Sequence, residues 1–264
     1  SWLAPLDVLI LMTPANENRV PATIKVATAA CRARVPHLVV VSVSTADVDS
    51  VFGRQYKQIE EAVRELSASH GTHYTLIRMP LFLENYYGFD ATVKQSAAIR
   101  CSIDPDQPYS PTAENDIGEA IAAVAADASG KWQDRTINLA GESHTVGQAT
   151  EWLSELCGAP IRFERITPDE ERAMFLSHGF PEWQADGIVE LYSLVSDGSY
   201  LFPSDDLREC IGRQPTSVRE YLQKALPSFL PVPIIDAAAP ADAPAPDPAP
   251  AEASPADTAV DVTV

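Results

Sequence analysis

Residues 36–45 read PHLVVVSVST, residues 52–71 read FGRQYKQIEEAVRELSASHG, and residues 72–88 read THYTLIRMPLFLENYYG. The first piece carries Leu38, Val39, Val40 and Val41 in succession, followed by polar Ser42 and Ser44. Such a run predicts a strand covered on both faces that emerges at its C-terminal end. The second piece sets Ile59, Ala62, Val63 and Leu66 at helical spacing, with Arg54, Lys57, Glu60, Glu61 and Arg64 on the other face. The third predicts a strand over 74–78, stopped by Met79-Pro80. Strand, helix and strand within about fifty residues make a βαβ crossover, which demands a parallel sheet and is right-handed in nearly all cases.

Outward from this unit, residues 6–12 (LDVLILM) predict another apolar strand, ending at Thr13-Pro14. Residues 16–34 carry Val20, Ile24, Ala27 and Cys31 at helical spacing, and Pro21 is tolerated in a first turn. Three consecutive strands are therefore expected to run parallel. Their C-terminal ends bear Thr13-Pro14, Ser42 to Ser44, and Met79 to Phe82. In open α/β sheets the ligand crevice lies outside those ends.

Beyond Gly88 the alternation is less regular. Ile117, Ala120, Ile121 and Val124 mark a helix, and 136–139 a short strand. Thr145 to Gln148 has the capping-box pattern for a helix that Gly158 ends. Residues 161–166 alternate like a half-exposed strand. Thr167-Pro168-Asp169-Glu170 is a second capping box, with proline at the first helical position. Ile188, Leu191, Tyr192 and Val195 form one more apolar stripe. From 231 to 264 the chain is mostly Pro, Ala and Asp, a composition that cannot offset its ordering entropy and predicts a disordered tail.

The chain has 264 residues, 45% of them hydrophobic, enough for a substantial core. No stretch approaches the roughly 20 apolar residues of a membrane span, and no secretory leader is expected, so a cytoplasmic location is the expectation. Cys31, Cys101, Cys157 and Cys210 are widely spaced, and with five histidines lacking ligand spacing they predict reduced thiols and no metal site. The formal charge of −18 argues against nucleic-acid binding through a basic surface. Six acidic residues after Lys224 lie in the tail; without them the charge is about −12.

Four segments, LVVVSVS (38–44), GRQYKQIEEAVREL (53–66), YTLIRMPLFLENYYG (74–88) and ENDIGEAIAAV (114–124), resemble the NmrA-like group of atypical short-chain dehydrogenases/reductases. A fifth, LRECIGRQPTSVREYL (207–222), is similar to that family's C-terminal segment. The resemblance spans roughly residues 5 to 226. It implies an α/β fold with a Rossmann-like parallel sheet, N-terminally truncated, and a small α/β C-terminal lobe drawn mainly from 141–226 of a domain over 1–230. It also implies binding of NAD(P), and either reduction of a small carbonyl or quinone or a non-catalytic dinucleotide-sensing role exercised through a protein partner. A truncated remnant without ligand is the third alternative.

Carried onto this sequence, the resemblance places Pro80, Leu81 and Phe82 against the nicotinamide carboxamide, and Thr13 and Pro14 beside the adenosine and ribose. Ser42 and Ser44 become contacts to the nicotinamide ribose or substrate. Tyr56 stands where relatives often carry Lys or His near the nicotinamide, and is the one catalytic candidate. Asn85 is expected to tie loops together, and Asp116 to be structural at a helix start. Two departures stand out. The 12 glycines form neither G-x-G-x-x-G nor G-x-x-G-x-x-G, so the family's phosphate-binding turn is expected upstream of Ser1, and NAD(P) binding is expected to be weak or absent in the chain as given. No tyrosine has lysine at i+4; Tyr56 has Glu60 there, which cannot lower a phenol's pKa as a lysine does.

Overall fold

The computed structural model describes residues 6–232. The disorder expected of the tail falls, beyond Val232, outside the described residues. In chain order the elements are β1 (Val8–Leu11), α1 (Arg19–Arg32), β2 (His37–Val43), a 3-10 turn (Ser44–Asp47), α2 (Val51–His70) and β3 (His73–Met79). A 3-10 stretch (Leu83–Phe89) follows, then α3 (Asp90–Ser96), β4 (Ala98–Cys101), α4 (Glu114–Ala126), β5 (Arg135–Asn138), α5 (Val146–Cys157) and β6 (Arg162–Arg165). Helices α6 (Pro168–Ser177), α7 (Glu182–Ser196), α8 (Asp206–Ile211) and α9 (Val218–Ala225) end the series.

The main sheet has the order β1-β2-β3-β5 with every pair parallel, as the overlapping βαβ units predict. Period-two alternation sorts β2 into two layers. Leu38 and Val40 join Leu76 under α1 and α2, packing with Ala27, Ile59 and Val63. Val39 and Val41 join Ile77 and Ile137 under α4 and α8, packing with Ile117, Ala120, Val124 and Leu207. Each such fully buried Val or Leu contributes about 1.5–3 kcal/mol relative to exposure. Both faces are therefore covered, which is why the run lacks the polar alternation of a half-exposed strand.

Helix α1 starts at Arg19 rather than 16 because the Asn16 side chain accepts the Asn18 N–H, making a local turn ahead of the helix. Helix α2 is capped by Ser50, whose hydroxyl accepts the Gly53 N–H at 3.0 Å, and ends at Gly71 in the left-handed region (φ 70°). Gly53 is required by space: a Cβ there would lie 2.1 Å from the Val48 carbonyl oxygen and 2.5 Å from that of Thr45. The two capping boxes read from the sequence are both formed, and a third, Ser217 with Glu220, opens α9.

A second, two-stranded parallel sheet pairs β4 with β6. Neither β4 nor α3 carries a sequence pattern that announces it; Ala98-Ile-Arg-Cys101 is too short for periodicity. Around it lies a separate core that includes Ile99, Leu153, Val195, Leu222 and Phe229. Asp116, buried at the start of α4, accepts the Thr216 N–H (2.6 Å) and an Arg213 N–H (2.7 Å), so it anchors the segment before α9. All four cysteines are free, and burial pushes the Cys101 thiol up to about 12. Among the described residues no helix is long and apolar enough to cross a membrane, and no His/Cys/Asp/Glu cluster could hold a metal.

Candidate functional site

The polar residues at the ends of β2 and β3 assemble into a buried ion-pair network. Arg78, on β3, donates from Nε to Glu60 Oε1 (2.9 Å) and from Nη2 to Glu60 Oε2 (2.7 Å). Its Nη1 donates to Asp47 (2.5 Å) in the 3-10 turn. The Ser42 hydroxyl and Arg64 complete the shell of Glu60 at 2.6 and 3.0 Å. Glu60 is 1% exposed. A bidentate pair of this kind offsets the desolvation of both ions. It raises the guanidinium's pKa chiefly through the Glu60 bond, and Arg78 in turn holds the Asp47 carboxyl below its ordinary value. The network pins α2, β2, β3 and the turn after β2 to one another directly beneath the crevice.

Above it lies a cavity of ≈580 Å³, within the range of small-molecule sites. The sheet side supplies Val43, Phe52, Tyr56, Met79, Pro80, Leu81 and Phe82, and α6 with α7 supplies Glu171, Met174, Phe175, Ile188, Leu191 and Tyr192. The segment leaving β3 is held firmly. The Leu81 N–H donates to Tyr200 Oη at 2.7 Å, while Thr112 N–H donates to the Leu81 carbonyl and Leu83 N–H to that of Thr112. The Tyr56 hydroxyl is 2.7 Å from Thr13 Oγ1.

Of the charged groups that line the cavity, Arg19 and Glu171 are the buried ones, and sequence patterns singled out neither. Glu171, fully buried in the first turn of α6, accepts the Ser102 N–H at 2.8 Å through Oε2, while its Oε1 has no partner. Burial pushes its carboxyl pKa up, the Ser102 bond opposing only in part. Arg19, the first residue of α1, lies against the rings of Tyr56, Trp183 and Phe52. Behind the cavity, Tyr86 Oη is 2.7 Å from His144 Nε2 and 3.0 Å from Tyr109 Oη. Burial lowers the His144 pKa to about 4.

Of the residues singled out in the sequence, Tyr56, Pro80, Leu81 and Phe82 line the cavity, and Thr13 touches it through Tyr56. Pro14 is half-buried in the turn after β1 and is not part of the lining. Ser42 is fully buried, its hydroxyl committed to Glu60, and Ser44 is buried at the start of the 3-10 turn. Asn85 sits exposed at the cavity rim and makes no side-chain hydrogen bond among the described residues, so the loop-tying part expected of it is not seen.

The model of the NmrA-like family matches residues 2–223. A (4-alkanoyl-5-oxo-2,5-dihydrofuran-3-yl)methyl phosphate reductase of Streptomyces griseus is 26% identical over 233 residues, 87% of this chain and 79% of that protein. An NAD(P)H azoreductase of Xenophilus azovorans is 24% identical over 236 residues, 86% and 78% of the two chains. Among solved structures, the Escherichia coli NADPH-dependent quinone oxidoreductase complexed with NADPH superposes with a TM-score of 0.74 at 22% identity, covering 84% of this chain and 78% of that one. NmrA, a negative transcriptional regulator in complex with NAD, gives 0.66 at 16% identity over 83% and 74%. At such identities the superpositions speak to the fold.

Proposed function

Since this chain belongs to the NmrA-like family, we propose that it is an NAD(P)H-dependent oxidoreductase that reduces a small carbonyl or quinone in the cavity above β2 and β3. The observation that carries this reading is the cavity itself: largely apolar walls at the C-terminal ends of parallel strands, floored by the pinned segment Pro80 to Phe82. Relatives named as a quinone oxidoreductase and an azoreductase favour the same class of flat acceptor.

The cavity fits the nicotinamide half of a dinucleotide, with Pro80, Leu81, Phe82, Tyr56 and Thr13 as the residues that would hold it. For the phosphate half, no glycine-rich turn between a strand and a helix stands among the described residues to bring backbone N–H groups to a pyrophosphate. Bound there, a reduced dinucleotide would supply a hydride. Leu81 and Phe82 would exclude water from the reacting face, and the proton for the acceptor oxygen would come from the Tyr56 hydroxyl or from Glu171, which burial keeps protonated to higher pH than an exposed carboxyl.

Turnover is tested by following loss of the reduced nicotinamide chromophore with a naphthoquinone acceptor at millimolar NADPH. Reduction by the purified chain is expected; none, with the protein folded, would favour the second reading, a dinucleotide sensor acting through a protein partner. That reading draws on the missing lysine at i+4 of Tyr56, where Glu60 is already committed to Arg78. Tyr56→Phe is expected to lower turnover by less than about a hundredfold, because no lysine activates the hydroxyl. A larger loss at unchanged cofactor affinity would make Tyr56 the essential acid. In calorimetry NADPH should bind weakly, since strand-end contacts contribute only about 1 kcal/mol each. A dissociation constant in the low micromolar range would contradict this.

A further inference from the structure

Arg19 is 6% exposed, lines the cavity, and has no carboxylate within salt-bridge distance among the described residues. Its Nε is buried without a hydrogen-bond partner. Its guanidinium carbon lies 5.1 Å from the ring centroid of Tyr56, 5.3 Å from that of Trp183 and 5.5 Å from that of Phe52. The rings stabilise a cation through their faces, and the one oxygen among them, the Tyr56 hydroxyl, is engaged with Thr13 rather than with the guanidinium. Arg78, one layer below, shows the alternative: there every branch of the guanidinium is met by a carboxylate. In a chain with 37 acidic residues, a nearly buried arginine that meets no carboxylate among the described residues leaves N–H donors that an oxyanion can satisfy. The cavity's buried carboxylate, Glu171, is engaged with Ser102 instead.

We propose that Arg19 is a specificity residue that receives an anionic substituent (carboxylate, sulfonate or phosphate) of the substrate, whose flat apolar body lies along Phe52, Phe82 and Leu191. This rests on the cavity being the acceptor site, as proposed above, and narrows the acceptor to an anionic aromatic or alicyclic compound. The same oxyanion chemistry could come from the dinucleotide's phosphates. The substrate is favoured because one ring of the cage, Trp183, stands on α7, the helix that also supplies Ile188, Leu191 and Tyr192 to the far wall of the cavity.

The test is calorimetric binding of a naphthalene carboxylate and its uncharged carboxamide to the full chain, without cofactor. The carboxylate is expected to bind about tenfold tighter or more, as a charge-assisted bidentate contact allows. Arg19→Gln should bring the two ligands to equal affinity, and Arg19→Lys should retain part of the preference. Equal affinities in the wild type overturn the proposal whatever the variants do, as does a preference that survives in Arg19→Gln. A fall in NADPH affinity in Arg19→Gln with the carboxylate preference intact assigns the residue to the cofactor phosphates and overturns it as well. Carboxylate preference lost on Arg19→Gln, in a protein that never oxidises NADPH, supports the anion site while removing the oxidoreductase reading.

Discussion

Glu60→Ala is expected to destabilise the protein by about 3–5 kcal/mol, lowering the thermal midpoint by roughly 10 °C or more for a chain of this size. The change strands Arg78, 8% exposed, with only the outlying Asp47 as counter-ion, and leaves the Ser42 hydroxyl without its acceptor. The double variant Glu60→Leu with Arg78→Met should recover most of the loss, because an apolar pair of similar volume carries no desolvation penalty. Denaturant unfolding that places Glu60→Ala within 1 kcal/mol of wild type would mean that the network is hydrated and contributes little.

The second large effect is one of pH. Burial holds His144 neutral down to about 4, whereas an unfolded histidine titrates near 6.5. A group whose folded pKa is depressed contributes stability above its unfolded pKa and loses it as pH falls towards the folded value. Between pH 7 and 5 this amounts to about 2 kcal/mol. His144→Gln removes the titrating group and keeps a partner for Tyr86. The variant should therefore be less sensitive to acid than wild type by that amount, measured as the difference of their unfolding free energies at the two pH values. Glu171, with a raised pKa, tilts stability the opposite way as pH rises, but it does so in both proteins and cancels from the difference. Parallel pH curves would show that His144 is not buried as described.

How far these features were readable in advance depended on whether they were local. The sheet was, because Leu38 to Val41 is an uninterrupted apolar run and Ile59, Val63 and Leu66 keep strict helical spacing; both are properties of neighbours in sequence. Pro80 to Phe82 at the cavity floor was legible for the same reason, as a strand stop at the carboxyl end of a parallel strand. Glu60 was visible only as one polar residue on the outer face of α2; its pairing with Arg78, 18 residues away, needs the crossover to close. Ser42 illustrates the converse. A hydroxyl at a strand end invites a ligand, yet here it is consumed by a carboxylate that no short-range pattern places beside it. Arg19 and Glu171 went unnoticed because each is an ordinary first-turn helical residue until α1, α2, α6 and α7 are packed around one cavity. Of the second sheet, β6 was legible in the alternation over 161–166, whereas β4 was not, because its four residues carry too little periodicity to separate from a turn.

The claim that this cavity is where the acceptor is reduced is tested most directly at Gly88, an exposed residue of its rim where an added Cβ would meet nothing within 4 Å. Gly88→Trp sets a bulky ring at the mouth without disturbing the packed wall. NADPH-dependent quinone reduction should fall about tenfold or more in this variant, with the thermal midpoint unchanged, because the acceptor must enter past that position. Equal rates in wild type and Gly88→Trp would contradict the assignment and place the chemistry elsewhere on the molecule.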